Sequence, residues 1–220
     1  MRISRDGKPE IRLREDQIEK VLRLAKARDF RHYVVFALMG QRGLRIGSVI
    51  GMENTVRYFR KRDQQWMVKS YSLPGLKKED VKDDHLVVHA KRVGVKRAYI
   101  NKTLLGELQG YANTLKPGQK LVEMSVQEAN DLCKEYAKEA GITDWDRAHP
   151  HRWRHYFGTY WARRTGRDPW KVKSLLMQTD IRSTMKYVED LSPEEESELF
   201  DELSSDKGEN LKADKEPSGV

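Results

Sequence analysis

Hydrophobic positions recur with helical spacing in the first part of the chain. Apolar residues lie three or four positions apart from Ile18 to Ala25, as they do on one face of an α-helix. A nearly continuous apolar run over residues 33–39 predicts a second helix that is buried on all sides. Gly40 and Gly43 follow this run, and we expect them to end the helix.

The middle of the chain changes to the alternation typical of strands. Apolar and polar residues alternate from Thr55 to Tyr71 around a charged break at residues 61–63, which predicts a β-hairpin. A second pair of short strands is predicted at residues 86–90 and 98–100, with Gly94 in the turn between them.

Helical spacing returns from residue 104 onward. Ser125 and Glu128 form a capping-box pair at the start of one helix, and residues 151–164 predict another. Asp168, before a proline, and Asp180 are N-cap signals for two short helices. The pattern as a whole predicts a mainly α protein with a small antiparallel β-sheet, an α+β fold.

The two ends of the chain differ from the body. Residues 1–13 are charged and predict a flexible arm. Residues 191–203 predict a C-terminal helix that carries Leu199, Phe200 and Leu203. Residues 204–220 have no apolar periodicity, so we expect a disordered acidic tail.

The composition of the 220 residues narrows the class of protein. No run of about 18 apolar residues is present, so no membrane span is expected. The charged N-terminus lacks the apolar segment of a secretory signal, which favours a cytoplasmic, nucleoid-associated protein. Because Cys133 is the one cysteine, the sequence excludes an internal disulfide and a cysteine-based zinc site.

Charge is divided unevenly along the chain. Residues 189–220 hold twelve acidic residues and three lysines, a net charge of −9, whereas the whole chain carries +8. Residues 1–188 therefore carry +17. A body this basic favours an anionic partner, and double-stranded DNA is the partner that we expect.

Several short motifs occur in an informative order. Arg45 follows the buried helix, Lys91 lies at the second hairpin, residues 151–155 read HRWRH, and Tyr187 closes a short helix. The series resembles the tyrosine recombinase (phage integrase) family, whose pattern is Arg, Lys, His-x-x-Arg, His or Trp, then Tyr.

The resemblance extends over about residues 14–190 and is longest over residues 151–187. That stretch is similar to the H-x-L-R-H-x-F-A-T helix of the family, followed by its L-G-H-x-x-I-x-T-T-x-x-Y segment. The resemblance implies the fold of the family's catalytic domain, with residues 53–74 as an inserted hairpin.

The resemblance also implies a role for each matched side chain. Arg45 and Arg154 would hold the non-bridging oxygens of a scissile phosphate through charge-assisted hydrogen bonds. Tyr187 would attack the phosphorus and form a 3′-phosphotyrosyl link. His151 would take part in proton transfer, and Lys91 would protonate the departing 5′ oxygen. No metal and no small-molecule cofactor are implied.

Two matched positions depart from the family pattern. Gln178 stands where the family has His or Trp, nine residues before the tyrosine, and Ser48 stands where Glu is more frequent. A Gln amide can donate a hydrogen bond to phosphate but cannot transfer a proton. The departure at Gln178 leaves open a catalytically weakened relative.

Basic residues among aromatic ones make the first hairpin a candidate DNA contact. A surface hairpin with a local aromatic cluster is an equally open interpretation. The predicted DNA-binding residues are Arg57, Arg60, Lys61, Arg62, Lys96 and Arg152.

His151 and His155 are spaced i, i+4 as in some zinc sites, but the arginines beside them oppose a cation. We therefore interpret His155 as a helix-packing residue.

The functional prediction is a site-specific DNA recombinase or integrase that acts as a homo-oligomer, a dimer or tetramer, on DNA. It would serve the integration or excision of a mobile element, plasmid or virus. The first alternative is a recombinase-like DNA-binding protein with a regulatory or architectural role. The second is an unrelated basic helix-turn-helix regulator, which leaves the order of Arg45, Lys91, Arg154 and Tyr187 unexplained.

Overall fold

The computed structural model of the chain describes residues 12–90 and 93–188. Lys91, the predicted C-terminal helix over residues 191–203 and the predicted acidic tail over residues 204–220 lie outside the described residues. No helix within residues 12–90 and 93–188 is both long and apolar enough to cross a membrane.

The described ranges contain eight α-helices and four β-strands, so the mainly α prediction with small antiparallel sheets is confirmed. In chain order the elements are α1 (Glu15–Arg28), α2 (Phe30–Gly40), α3 (Ile46–Ile50), β1 (Met52–Arg60), β2 (Gln65–Leu73), β3 (Leu86–Ala90), β4 (Gly94–Ala98), α4 (Lys102–Asn113), α5 (Val126–Glu139), α6 (Pro150–Arg164), α7 (Pro169–Leu175) and α8 (Arg182–Val188).

The strands form two separate two-stranded antiparallel sheets. In the first, β1 and β2 pair without interruption from Met52 opposite Leu73 to Arg60 opposite Gln65. In the second, β4 begins at Gly94 and ends at Ala98, earlier than the sequence predicted, so the placement of Gly94 in the turn was wrong: it pairs with Ala90 as the first residue of the strand. The early end has a local cause: Asn101 caps α4 by accepting a hydrogen bond from the backbone N–H of Leu104, so the chain leaves the strand before that point.

Helix α2 is the centre of the core. Every residue from Tyr33 to Gly40 is buried, as the apolar run predicted. The helix packs against α1 and α6, and the ring of Phe36 lies 5.1 Å from that of Trp153. Leu13 is also buried in this core, so the last residue of the predicted flexible arm belongs to the folded body.

Side-chain caps set the start of several helices. Ser125 and Glu128 form the predicted capping box on α5. Asp168 accepts hydrogen bonds from two backbone N–H groups at the start of α7, and Asp180 accepts one before α8. Helix α3 was not predicted, because five residues are too few to show a helical period.

Candidate active site

A tight turn between α2 and α3 positions Arg45. Gly43 lies in the left-handed region at φ +68°, and a β-carbon there would overlap the ring of Phe157. The turn therefore requires glycine. It places Arg45 at the N-cap of α3, where the side chain is half-buried.

Arg154, on α6, is the most enclosed charged side chain of the site, with 1% of its surface exposed. Its Nη1 donates to the carbonyl oxygen of Gly43, and its Nη2 donates to that of Leu176 at 2.8 Å. Its Nε is buried without a hydrogen-bond partner. Arg154 thus connects the α2–α3 turn to the end of α7 and keeps N–H groups available to a further acceptor.

Arg42 is a third arginine of the site, and it was not among the residues predicted from the sequence. The side chain is 7% exposed, and Nη1 donates to the carbonyl oxygen of Leu175. Its Nε is also buried without a partner. Its position directly before Gly43 could have indicated that Arg42 is buried, because the turn that buries Arg45 also buries its neighbours.

We call Arg42, Arg45 and Arg154 the arginine cluster. Within residues 12–90 and 93–188, none of the three forms an ion pair with a carboxylate. Burial, followed by the charge of Arg45, lowers the pKa of Arg154 to about 9, and burial lowers the pKa of Arg42 to about 10. Both stay charged at neutral pH. Buried cations without a counter-ion are costly, so the arginine cluster favours a bound anion.

Tyr187, on α8, lies beside the arginine cluster. Burial lowers the pKa of Arg45, and the neighbouring phenol of Tyr187 acts in the opposite direction. The side chain is 1% exposed, and its hydroxyl is buried beside the guanidinium of Arg154. Its ring packs directly on Gly158, where a β-carbon would lie 2.6 Å from Cδ1 of Tyr187. The ring of His155, which like Gly158 lies on α6, is 5.1 Å from the ring of Tyr187.

Gln178 follows α7 and is half-buried. Its Oε1 accepts a hydrogen bond of 2.7 Å from the hydroxyl of Thr184 on α8. The carbonyl end of the amide is therefore occupied, and the Nε2 end makes no hydrogen bond within the described residues.

His151, in the first turn of α6, is exposed to solvent. Its Nε2 lies 3.4 Å from Nζ of Lys186 on α8. Desolvation by the surrounding protein atoms, and then the charges of Lys186 and Arg154, lower the pKa of His151. Solvent contact limits the first effect, but both act in the same direction, so the ring is neutral at neutral pH.

A model of the phage integrase family matches residues 11–193 of the chain. The chain belongs to the phage integrase (tyrosine recombinase) family. No curated protein matched the sequence.

Solved structures of tyrosine recombinases share the fold. The chain is 17% identical to XerA recombinase with a TM-score of 0.63, over 92% of this chain and 66% of that one. It is 13% identical to XerH site-specific recombinase bound to a palindromic difH substrate, with a TM-score of 0.60 over 91% and 55% of the two chains. A lambda integrase dimer bound to a core site matches at 14% identity and a TM-score of 0.55, over 84% and 50%. The chain thus spans between half and two thirds of the length of these relatives.

The family pattern explains the backbone at Gln178. Met177 stands where the pattern L-G-H has glycine, and it adopts the left-handed conformation at φ +49°. The backbone N–H of Gln178 donates to the carbonyl oxygen of Lys173 at 3.0 Å, and that of Met177 to Ser174 at 3.0 Å. These two bonds form a Schellman motif, with methionine rather than glycine in its left-handed position.

Five of the six predicted catalytic residues lie in the described chain: Arg45 at the N-cap of α3, His151 and Arg154 on α6, Gln178 after α7 and Tyr187 on α8. Lys91 lies outside the described residues. The predicted DNA-binding residues lie elsewhere. Four are exposed on the β1–β2 hairpin, Lys96 is exposed on β4, and Arg152 is half-buried on α6. A groove of about 810 Å³ runs between the two hairpins, lined in part by Tyr58, Lys69 and His89, and no member of the arginine cluster lines it.

Proposed function

We propose that the protein is a site-specific DNA recombinase that cleaves and rejoins DNA through a 3′-phosphotyrosyl intermediate, for the integration or excision of a mobile element, plasmid or virus. One observation carries the proposal: the arginine cluster has no carboxylate partner in the described chain and lies beside the buried hydroxyl of Tyr187. Guanidiniums in such a site are suited to the charge that develops on a phosphate in the transition state.

The proposed step is a transesterification. The phenol oxygen of Tyr187 forms a bond to phosphorus, and the bond from phosphorus to the 5′ oxygen breaks. His151, which is neutral, accepts the proton of the phenol, and Lys91 gives one to the leaving 5′ oxygen. Attack by a 5′ hydroxyl of another strand reverses the step and releases Tyr187.

The remaining side chains would stabilise the phosphate. Arg45 and Arg154 would each donate to a non-bridging oxygen, and Gln178 would donate from its Nε2. Because the hydroxyl of Tyr187 is buried in this conformation, cleavage also requires the tyrosine side chain to turn out of its packing against Gly158 on α6.

Double-stranded DNA is the proposed substrate, and the β1–β2 hairpin is a proposed contact. Arg57 lies 5.8 Å from the ring of Trp66, and Lys61 and Arg62 occupy the exposed tip.

Replacing Lys61 and Arg62 with alanine should change the salt dependence of DNA binding. The slope of the logarithm of the binding constant against the logarithm of salt concentration should become less steep by about 2, the value for two lost phosphate contacts. An unchanged slope would favour the alternative of a surface hairpin.

The proposed reaction is tested with a nicked duplex. Its cleavage releases a short fragment that diffuses away, so the strand cannot be rejoined and the covalent intermediate accumulates. The duplex carries a site enriched from random sequences by binding to the protein. We expect an adduct that survives SDS with the wild-type chain and none with Tyr187→Phe at unchanged DNA affinity. An adduct of equal yield in Tyr187→Phe would refute the assignment of the nucleophile.

A second candidate function has one specific observation in its favour. Gln178 replaces a residue that can transfer a proton, which favours a DNA-binding protein with weakened catalysis. Sequence-specific binding without any adduct would support this function. Such a protein would act as a regulatory or architectural homo-oligomer on DNA.

A further inference from the structure

Thr184 is a fully buried polar residue whose role the family resemblance does not state. Its exposed fraction is 0%, and its hydroxyl donates to Oε1 of Gln178 at 2.7 Å. It lies on α8, three residues before Tyr187, so the two side chains are one helical turn apart.

The hydrogen bond decides which end of the Gln178 amide can reach an anion. A primary amide has an acceptor oxygen and a donor nitrogen at nearly the same distance from the backbone. The oxygen would repel a phosphate, whereas the nitrogen can donate to it. With Oε1 held by Thr184, the Nε2 end remains for a ligand.

The backbone of Gln178 is held as well. In the Schellman motif at the end of α7, the backbone N–H of Gln178 donates to the carbonyl oxygen of Lys173. Arg154 donates to the carbonyl oxygen of Leu176, two residues before Gln178. With the backbone held, the rotations about the side-chain bonds of Gln178 decide which way its amide points, and the hydrogen bond to Oε1 restricts them. Thr184 is the residue that donates this bond.

We propose that Thr184 is a positioning residue that orients the Gln178 amide so that Nε2 donates to a non-bridging oxygen of the scissile phosphate. The inference rests on the proposed recombinase function. The orientation of the Gln178 amide then depends on α8. When α8, which also carries Tyr187, packs so that Thr184 contacts Gln178, Nε2 is available to donate to phosphate.

A double-mutant cycle tests the role. Thr184→Val keeps the shape and removes the hydroxyl, whereas Thr184→Ser keeps the hydroxyl. On the nicked duplex, Thr184→Val should form the adduct about 10-fold more slowly, the scale of one net hydrogen bond, and Thr184→Ser within about twofold of the wild type. In a Gln178→Ala background, Thr184→Val should cause no further loss.

Two results would overturn the proposal. Thr184→Val could cleave at the wild-type rate, or it could slow cleavage equally in the Gln178→Ala background, which would indicate a purely structural role. Melting temperature and DNA affinity, measured for each variant, separate a folding defect from lost orientation.

A second measurement does not depend on cleavage and separates failure of this inference from failure of the proposed function. The side-chain amide of Gln178, labelled with ¹⁵N and assigned by its loss in Gln178→Ala, should give the order parameter of an ordered group. Thr184→Val should lower this order parameter below about 0.6, since a hydrogen bond no longer holds the amide. Equal order parameters in both chains would refute the anchoring, whether or not the protein cleaves DNA.

Discussion

At the scale of single residues, the absence of one methyl group determines where Tyr187 lies. The family pattern H-x-L-R-H-x-F-A-T has alanine at the position of Gly158, and the tyrosine ring here occupies the space of that β-carbon. The hydroxyl is thereby buried next to the arginine cluster. Gly158 was not singled out from the sequence, because glycine in a helix usually signals only lower helix propensity.

We expect Gly158→Ala to displace the ring of Tyr187. The new β-carbon would lie 2.6 Å from Cδ1 of Tyr187, closer than carbon atoms can approach. Nitration of Tyr187 by tetranitromethane, located by mass spectrometry, should be faster than in the wild type. Gly106→Ala on α4 is the matched control, since its β-carbon meets nothing within 4 Å. Unchanged nitration of Tyr187 in Gly158→Ala would contradict the packing argument.

A lowered pKa of His151 predicts a specific loss of stability in acid. Between the ordinary pKa of about 6.5 and the lower folded-state value, the unfolded chain binds a proton that the folded chain does not. The free energy of unfolding therefore falls as the pH drops from 7 to 5. His151→Gln should show a smaller fall over the same range in urea titrations. An imidazole signal of His151 that titrates at pH 6.5 or above would count against this prediction.

At the scale of elements, the end of α7 is held by side chains from distant helices. Arg42 at the end of α2 and Arg154 on α6 donate to the successive carbonyl oxygens of Leu175 and Leu176. Cations at a helix C-terminus are favoured by its dipole and by its unpaired carbonyl groups. The turn that carries Gln178 therefore depends on two members of the arginine cluster.

Arg42→Met should weaken the response of the protein to anions. If sulfate neutralises the arginine cluster, a concentration ten times its dissociation constant stabilises the wild type by about 1.4 kcal/mol. Arg42→Met should lose about 1 kcal/mol of this increment in thermal or urea unfolding, because one of three charges is missing. Arg28→Met is the control: Arg28 pairs with Glu135 and Glu139 on the surface, so the sulfate increment should persist. Equal increments in wild type and Arg42→Met would exclude Arg42 from the anion site.

At the scale of the whole molecule, the separation of charge predicts that the acidic residues 189–220 compete with DNA for the basic residues 1–188. Residues 1–188 carry +17, and residues 189–220 carry −9. Opposite charges joined in one chain lower the attraction of the body for DNA, and salt screens this effect over about 10 Å at 0.1 M.

Neutralising part of the acidic segment should strengthen non-specific DNA binding. Changing Glu194, Glu195, Glu196 and Glu198 to glutamine should tighten binding to random duplex at low salt, with the difference vanishing above about 0.5 M salt. The matched variant changes the four acidic residues at positions 206, 209, 214 and 216, which removes the same charge farther along the chain. Equal tightening by both would mean that net charge alone matters. No tightening by either would contradict the competition.

The sequence by itself determined the local features of this protein. Helix faces, the capping box at Ser125 and the two hairpins follow from the spacing of residues within about ten positions, and the structure confirms them. The order of the motif residues was enough to indicate the family, which the family match confirms. The roles of Arg45, Arg154 and Tyr187 stay predictions that rest on that resemblance.

Only the tertiary structure decided which side chains meet. Arg42 contacts a carbonyl 133 residues away, and Arg154 contacts one 111 residues away. Such pairs leave no periodic signal, because they depend on how α2, α6 and α7 pack rather than on the chain within any one helix. The pairing of Thr184 with Gln178 spans six residues, yet it too depends on the direction in which the α7–α8 turn folds. The predicted catalytic residues could therefore be named from the sequence, whereas Arg42 and the burial of the arginine cluster depended on how the helices pack.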